Sequence, residues 1–183
     1  MTQSMRVGEI LLTQEQINRR VTELAEAVNR DYPGGDLIVI GILKGCFVFI
    51  SDLVRQLSGD VQIYFMQVSS YGNGTVSSGT LKIQKDIEVD IAGKNVLLAE
   101  DIVDSGHTLS QLVPLLKKRN PKSVRVCALL SKPSRRQVAF EADYTGFEIP
   151  DKFIVGYGLD CGERFRQLPY IAEVELCPSE EEN

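Results

Sequence analysis

The stretch Asn95–Leu109, NVLLAEDIVDSGHTL, decides how the rest of the chain is read. Val96, Leu97, Leu98 and Ala99 form an unbroken apolar segment, the pattern of a strand buried on both faces of a parallel sheet. Glu100 and Asp101 fall at its carboxyl end, where ligands of open α/β sheets bind. Asp104, Ser105, Gly106, His107 and Thr108 then turn the chain into a helix with Leu109, Leu112, Val113 and Leu116 on one face. The turn offers backbone N–H groups and hydroxyls to an anion, and a helix N-terminus favours negative charge.

Two carboxylates beside an anion cradle repel the ligand unless its charges are separated or neutralised. Ribose 5-phosphate meets that condition: its phosphate suits the helix N-terminus, while its 2- and 3-hydroxyls can donate to Glu100 and Asp101. Mg2+ near a diphosphate on the same sugar would neutralise the rest. On these residues, EDIVDSGHT resembles the phosphoribosyl-diphosphate motif of the phosphoribosyltransferases.

Length and charge narrow the alternatives. At 183 residues the chain suits a single domain spanning 1–183. A net charge of -5 argues against a broad nucleic-acid surface, which needs clustered Lys and Arg. Met1–Leu12 lacks a signal-peptide pattern. The longest apolar stretch, 37–50, is broken by Lys44 and is shorter than the roughly 20 residues a spanning helix needs, so no membrane partner and a cytoplasmic location are expected. Cys46, Cys127, Cys161 and Cys177 show no Cys-x-x-Cys pairing and read as reduced thiols.

From its start the chain alternates helix and strand patterns. Thr13 and Gln16 form a capping box ahead of a helix carrying Ile17, Val21, Leu24, Ala25 and Val28. Leu37–Leu43 reads as a second buried strand, followed by a helix with Phe47, Ile50, Leu53, Val54 and Leu57 inward. Strands are expected at Val61–Val68, Leu81–Ile87, Ser123–Leu130, Phe153–Tyr157 and Ile171–Glu175. The polar, glycine-rich stretch at about 69–80 has the length of a functional lid. An acidic, disordered tail is expected at about 178–183. The fold class is α/β: a mainly parallel central sheet flanked by helices, with a small hood from terminal segments.

The motifs, from about Glu9 to Glu175, resemble in order and spacing the hypoxanthine-guanine phosphoribosyltransferases of bacterial type. The resemblance implies a diphosphate loop at Leu43-Lys44-Gly45 with a cis Leu43–Lys44 peptide, and an arginine for the same group at Arg166. It implies a closing lid with Ser70 and Tyr71, a lysine at Lys132 that donates to the O6 of a 6-oxopurine, and a stacking platform at Phe153. Ile154 would present backbone groups to the base, and Asp160 would hold a second Mg2+ through water. Glu100 and Asp101 would bind the ribose and metal; Asp104, Ser105, Gly106, His107 and Thr108 would bind the 5-phosphate. Asp104 would also act as the base at purine N7. His107, the sole histidine, is expected to use its backbone N–H, with its ring turned to solvent. Cys161 departs from the family, standing where an aromatic residue is usual.

The implied partners are phosphoribosyl diphosphate and a 6-oxopurine, with self-association into a homodimer or homotetramer. A nucleotide-sensing regulatory protein on the same fold is one alternative. A transferase for xanthine, adenine or a pyrimidine is another.

Overall fold

The computed structural model describes residues 4–70 and 81–177. In chain order its elements are β1 (Ser4–Leu12), α1 (Gln14–Asp31), β2 (Leu37–Leu43), α2 (Phe47–Val54), β3 (Val61–Ser70), β4 (Leu81–Lys85) and β5 (Asn95–Val103). There follow α3 (His107–Lys117), β6 (Ser123–Ser131), a 3-10 turn at Pro133–Arg135, β7 (Tyr144–Glu148), β8 (Ile154–Val155) and β9 (Ile171–Cys177). Among the described residues the central sheet has the order β4-β3-β2-β5-β6-β7, parallel except for β4 against β3. A smaller antiparallel sheet, β1-β9-β8, forms the hood.

The period of two along a strand explains how the apolar runs fill both faces. Val39, Leu97 and Ala99 pack with Ile17, Leu24, Phe49 and Leu53 of α1 and α2. Ile38, Ile40, Val96 and Leu98 pack with Leu109, Leu112 and Leu116 of α3. α1 begins at the expected capping box: Gln16 N donates to Thr13 Oγ1 and Thr13 N donates to Gln16 Oε1. Both terminal donors are thereby satisfied. Among the described residues, no helix is long and apolar enough to cross a membrane.

Four readings needed correction. β5 continues past the apolar run to Val103, because Ile102 and Val103 pair with Leu130 and Ser131 of β6. Phe47, expected inward, is exposed, and Leu57 lies beyond the end of α2. β1 and β7 were not anticipated: among the described residues β1 pairs only with β9, and β7 is an edge strand with only Tyr144 buried. The strand expected at Phe153–Tyr157 contracts to two residues, after which Gly156, Tyr157 and Gly158 all take positive φ and turn the chain. The expected tail at 178–183 and all of the lid except Ser69 and Ser70 lie outside the described residues.

Candidate active site

The extension of β5 means that Glu100 and Asp101 are held by the sheet rather than by a loop. Asp101 Oδ1 accepts from the Ile102 N–H at 2.8 Å. A Cβ on residue 45 would come within 1.5 Å of Asp101 Oδ2, so only glycine allows this loop and carboxylate to meet. Glu100 lines a cavity of about 80 Å³ with Asp104, Ser105, Gly106 and Thr108. Its Oε2 is buried with no hydrogen-bond partner among the described residues.

Burial, reinforced by repulsion from Asp101, pushes the Glu100 carboxyl well above the usual range. Burial also pushes Asp101 up to about 6, opposed by its backbone hydrogen bonds and by the Arg166 guanidinium. Two adjacent acids that resist ionising are costly unless a ligand supplies hydroxyl donors or a cation.

Beyond them the chain turns into α3 through Gly106, whose φ of 86° suits glycine. Added carbon there would also press on Arg136, Val138 and Phe140. His107 N donates to Ser105 Oγ at 3.4 Å, and His107 Nε2 lies 3.0 Å from Gln137 Oε1. The ring thus meets Gln137 at the exposed surface.

Two arginines that the sequence reading left without a role hold this turn. Arg136 donates to the carbonyls of Val103 and Asp104 and, at 2.7 Å, to Ser131 Oγ, joining the loop to β6. Arg135 Nε lies 3.2 Å from Asp104 Oδ1. The signal was present in SKPSRR: two guanidinium groups directly after a strand end have little reason to be adjacent unless an anion or carbonyl cluster faces them.

Lys132 continues β6, its N–H donating to Val103 O at 2.9 Å. Its buried Nζ donates to Lys152 O at 2.7 Å and lies 3.8 Å from Asp151. Phe153 is 61% exposed, whereas Ile154 is buried in the hood. One phenyl face is therefore open to stacking while its neighbour packs.

The Leu43–Lys44 peptide is cis. Lys44 Nζ lies 3.0 Å from Glu163 Oε2, and an Arg166 terminal nitrogen lies 2.8 Å from Asp160 Oδ1. Arg166 also donates to Gly158 O at 2.8 Å. Asp101 feels the charges of both Arg166 and Asp160, which joins this group to the β5 carboxylates. Ser70 ends β3 opposite Leu81, and Tyr71 lies outside the described residues.

The chain as a whole is similar to known proteins. The phosphoribosyl transferase domain matches residues 8–161. The chain belongs to the phosphoribosyl transferase family. The hypoxanthine-guanine phosphoribosyltransferase of Aquifex aeolicus is 50% identical over 168 residues, 91% of this chain and 94% of that one. A solved hypoxanthine-guanine phosphoribosyltransferase from Bacillus anthracis superposes with a TM-score of 0.88 at 46% identity, covering 94% of this chain and 99% of that one. The bifunctional protein TilS/HprT of Listeria innocua is 48% identical over 165 residues, 90% of this chain; the chain spans only 26% of that longer relative.

The donor set of this site suits a hard divalent cation. Such ions take oxygen ligands, and Glu100 offers a buried oxygen that lacks a partner among the described residues. Among the described residues no three His, Cys, Asp or Glu side chains converge as a cage. Magnesium commonly takes one or two carboxylates and completes its shell with water and phosphate oxygens.

Proposed function

We propose that the chain transfers the 5-phosphoribosyl group from phosphoribosyl diphosphate to hypoxanthine or guanine, giving IMP or GMP and diphosphate, a step of purine salvage. The observation that carries this reading is the half-buried Glu100–Asp101 pair, set between the Ser105–Gly106 turn and the Lys44–Gly45 loop. Such a pair favours a ligand with hydroxyl groups at its centre and phosphate groups at its ends. The names of the Aquifex and Bacillus relatives agree with this assignment.

In this reading Ser105, Gly106, His107 and Thr108 anchor the 5-phosphate, and Glu100 and Asp101 receive the ribose hydroxyls. Mg2+, held through Glu100, Asp101 and Asp160, would neutralise charge on the diphosphate as it leaves. Lys44, the Gly45 amide and Arg166 bind that group directly. Lys132 donates to purine O6; an ammonium has donors and no acceptor, so it favours an oxo over an amino group. Phe153 stacks on the base and the Ile154 backbone meets its edge.

As N9 bonds to ribose C1, the C1–oxygen bond breaks and its electron pair leaves with diphosphate. Asp104 accepts the proton from N7 and offsets the positive charge developing on the purine. Its ion pair with Arg135 must loosen for that transfer. A cytoplasmic location and assembly into a homodimer or homotetramer complete the proposal.

The test offers purified protein, magnesium and phosphoribosyl diphosphate each base in turn while diphosphate release is followed. Release with hypoxanthine or guanine, dependent on magnesium, is expected. Comparable turnover of adenine would remove the role given to Lys132, and no release with any base would overturn the assignment.

A further inference from the structure

The space between Lys44 and Arg166 holds an anion supplied by the chain itself. One oxygen of Glu163, Oε2, lies 3.0 Å from Lys44 Nζ and 3.4 Å from an Arg166 terminal nitrogen. A single carboxylate oxygen therefore bridges the two cations assigned above to the diphosphate, as a phosphate oxygen would.

The backbone sets Glu163 in this place. Cys161 and Arg164 exchange two hydrogen bonds of 3.2 Å around it, and its own N–H donates to Asp160 Oδ2 at 2.8 Å. The Glu163 side chain is 65% exposed and that of Lys44 57%, so their attraction is screened and can be exchanged. Arg166 is only 19% exposed and anchored on Gly158 and Asp160, yet its Nε is buried without a hydrogen-bond partner among the described residues. Among the described residues the arginine thus keeps one donor unused while its terminal nitrogens are occupied. The Lys44 ammonium also holds the Glu163 carboxyl below its usual range.

Resting on the diphosphate reading of this subsite, we propose that Glu163 is a resident counter-ion there. It holds the flexible Lys44 beside the fixed Arg166, and it competes with diphosphate for both. Its carboxylate must swing outward before the leaving group can be gripped, and it swings back as diphosphate departs. Glu163 is a positioning residue that sets affinity for one product without touching the reacting atoms.

The test measures binding of inorganic diphosphate with magnesium to wild type, E163Q, K44A and the double variant. Ribose 5-phosphate serves as a control for the separate phosphate loop. Glutamine keeps the size and the hydrogen-bonding oxygen while removing the charge. E163Q is expected to bind diphosphate about three- to tenfold tighter, the range set by losing two solvent-screened ion pairs of one exposed carboxylate. That gain should shrink in the K44A background, where one of the two cations is gone. Ribose 5-phosphate affinity and melting temperature should stay as in wild type, and KM for phosphoribosyl diphosphate should fall without a rise in kcat. Equal or weaker diphosphate binding by E163Q, with ribose 5-phosphate unchanged, would overturn the counter-ion role alone. Wild type that binds ribose 5-phosphate but no diphosphate would remove the diphosphate subsite, and the proposal with it.

Discussion

Asp104 carries the sharpest mechanistic claim at the scale of single residues. Asparagine retains its size and its hydrogen bonding but accepts no proton. Asp104→Asn should lower kcat about 10²- to 10⁴-fold, the usual worth of a general acid–base group. A pre-steady-state assay with phosphoribosyl diphosphate held saturating isolates that step. If Asp104 served only the local turn, asparagine would be almost silent in rate, because it suits a turn or a helix cap equally well. Asp101 makes a different prediction, in stability. Its folded carboxyl titrates at about 6 against an ordinary 3.8, so between those values the folded chain binds more protons than the unfolded chain. Stability from this group therefore falls as pH rises through that window, and the full penalty is present above about 6. Asp101→Asn removes the charge while its oxygen still accepts from Ile102. Its melting temperature should match wild type near pH 4 and exceed it at pH 8, by about 2–4 °C for each kcal/mol relieved. Differential scanning calorimetry at the two pH values decides, and an equal difference at both would locate the effect outside the carboxyl charge.

At the scale of elements, the buried strands were legible because burial on both faces leaves a continuous apolar run, as in Leu37–Leu43 and Val96–Ala99. The same logic hid the strands with thin cover. β1 keeps Ile10 exposed, and β7 places Gly146 where a Cβ would come within 2.3 Å of Leu129 O, so neither shows a clear alternation. It also truncated β5, since acids end an apolar run whether or not the ladder continues; here pairing to β6 carries it on. The site residues on motifs could be read from spacing and resemblance, whereas Arg135, Arg136 and Glu163 act across 30 or more residues and needed the fold to find their partners. Gly45 tests how closely two elements must meet. Gly45→Ala forces the loop after β2 away from Asp101, and displacements of about 1 Å can cost roughly 10²-fold in rate. We expect kcat/KM to fall by about that factor with the far-UV spectrum unchanged. Activity within about twofold of wild type would mean that the loop relaxes without disturbing the carboxylate.

For the whole molecule, the decisive property is that two apolar layers share one sheet. β2 and β5 send alternate residues into the α1–α2 layer and into the α3 layer, so losing either cover exposes one face of strands whose other face supports the remaining layer. The site lies at the ends of these shared strands, and its geometry depends on both layers staying packed. Leu24 in α1 and Leu112 in α3 are both buried, in separate clusters. Replacing a buried leucine by alanine costs about 2–5 kcal/mol, depending on how far the cavity collapses. Leu24→Ala and Leu112→Ala should each lower the melting temperature, and, sharing no packing partner, their costs should add to within about 0.5 kcal/mol in the double variant. If the shared strands couple the layers, each variant will still melt in one step, with far-UV circular dichroism and tyrosine fluorescence falling together. A split transition in either single variant, with one signal lost ahead of the other, would show instead that a helical layer can leave the sheet alone.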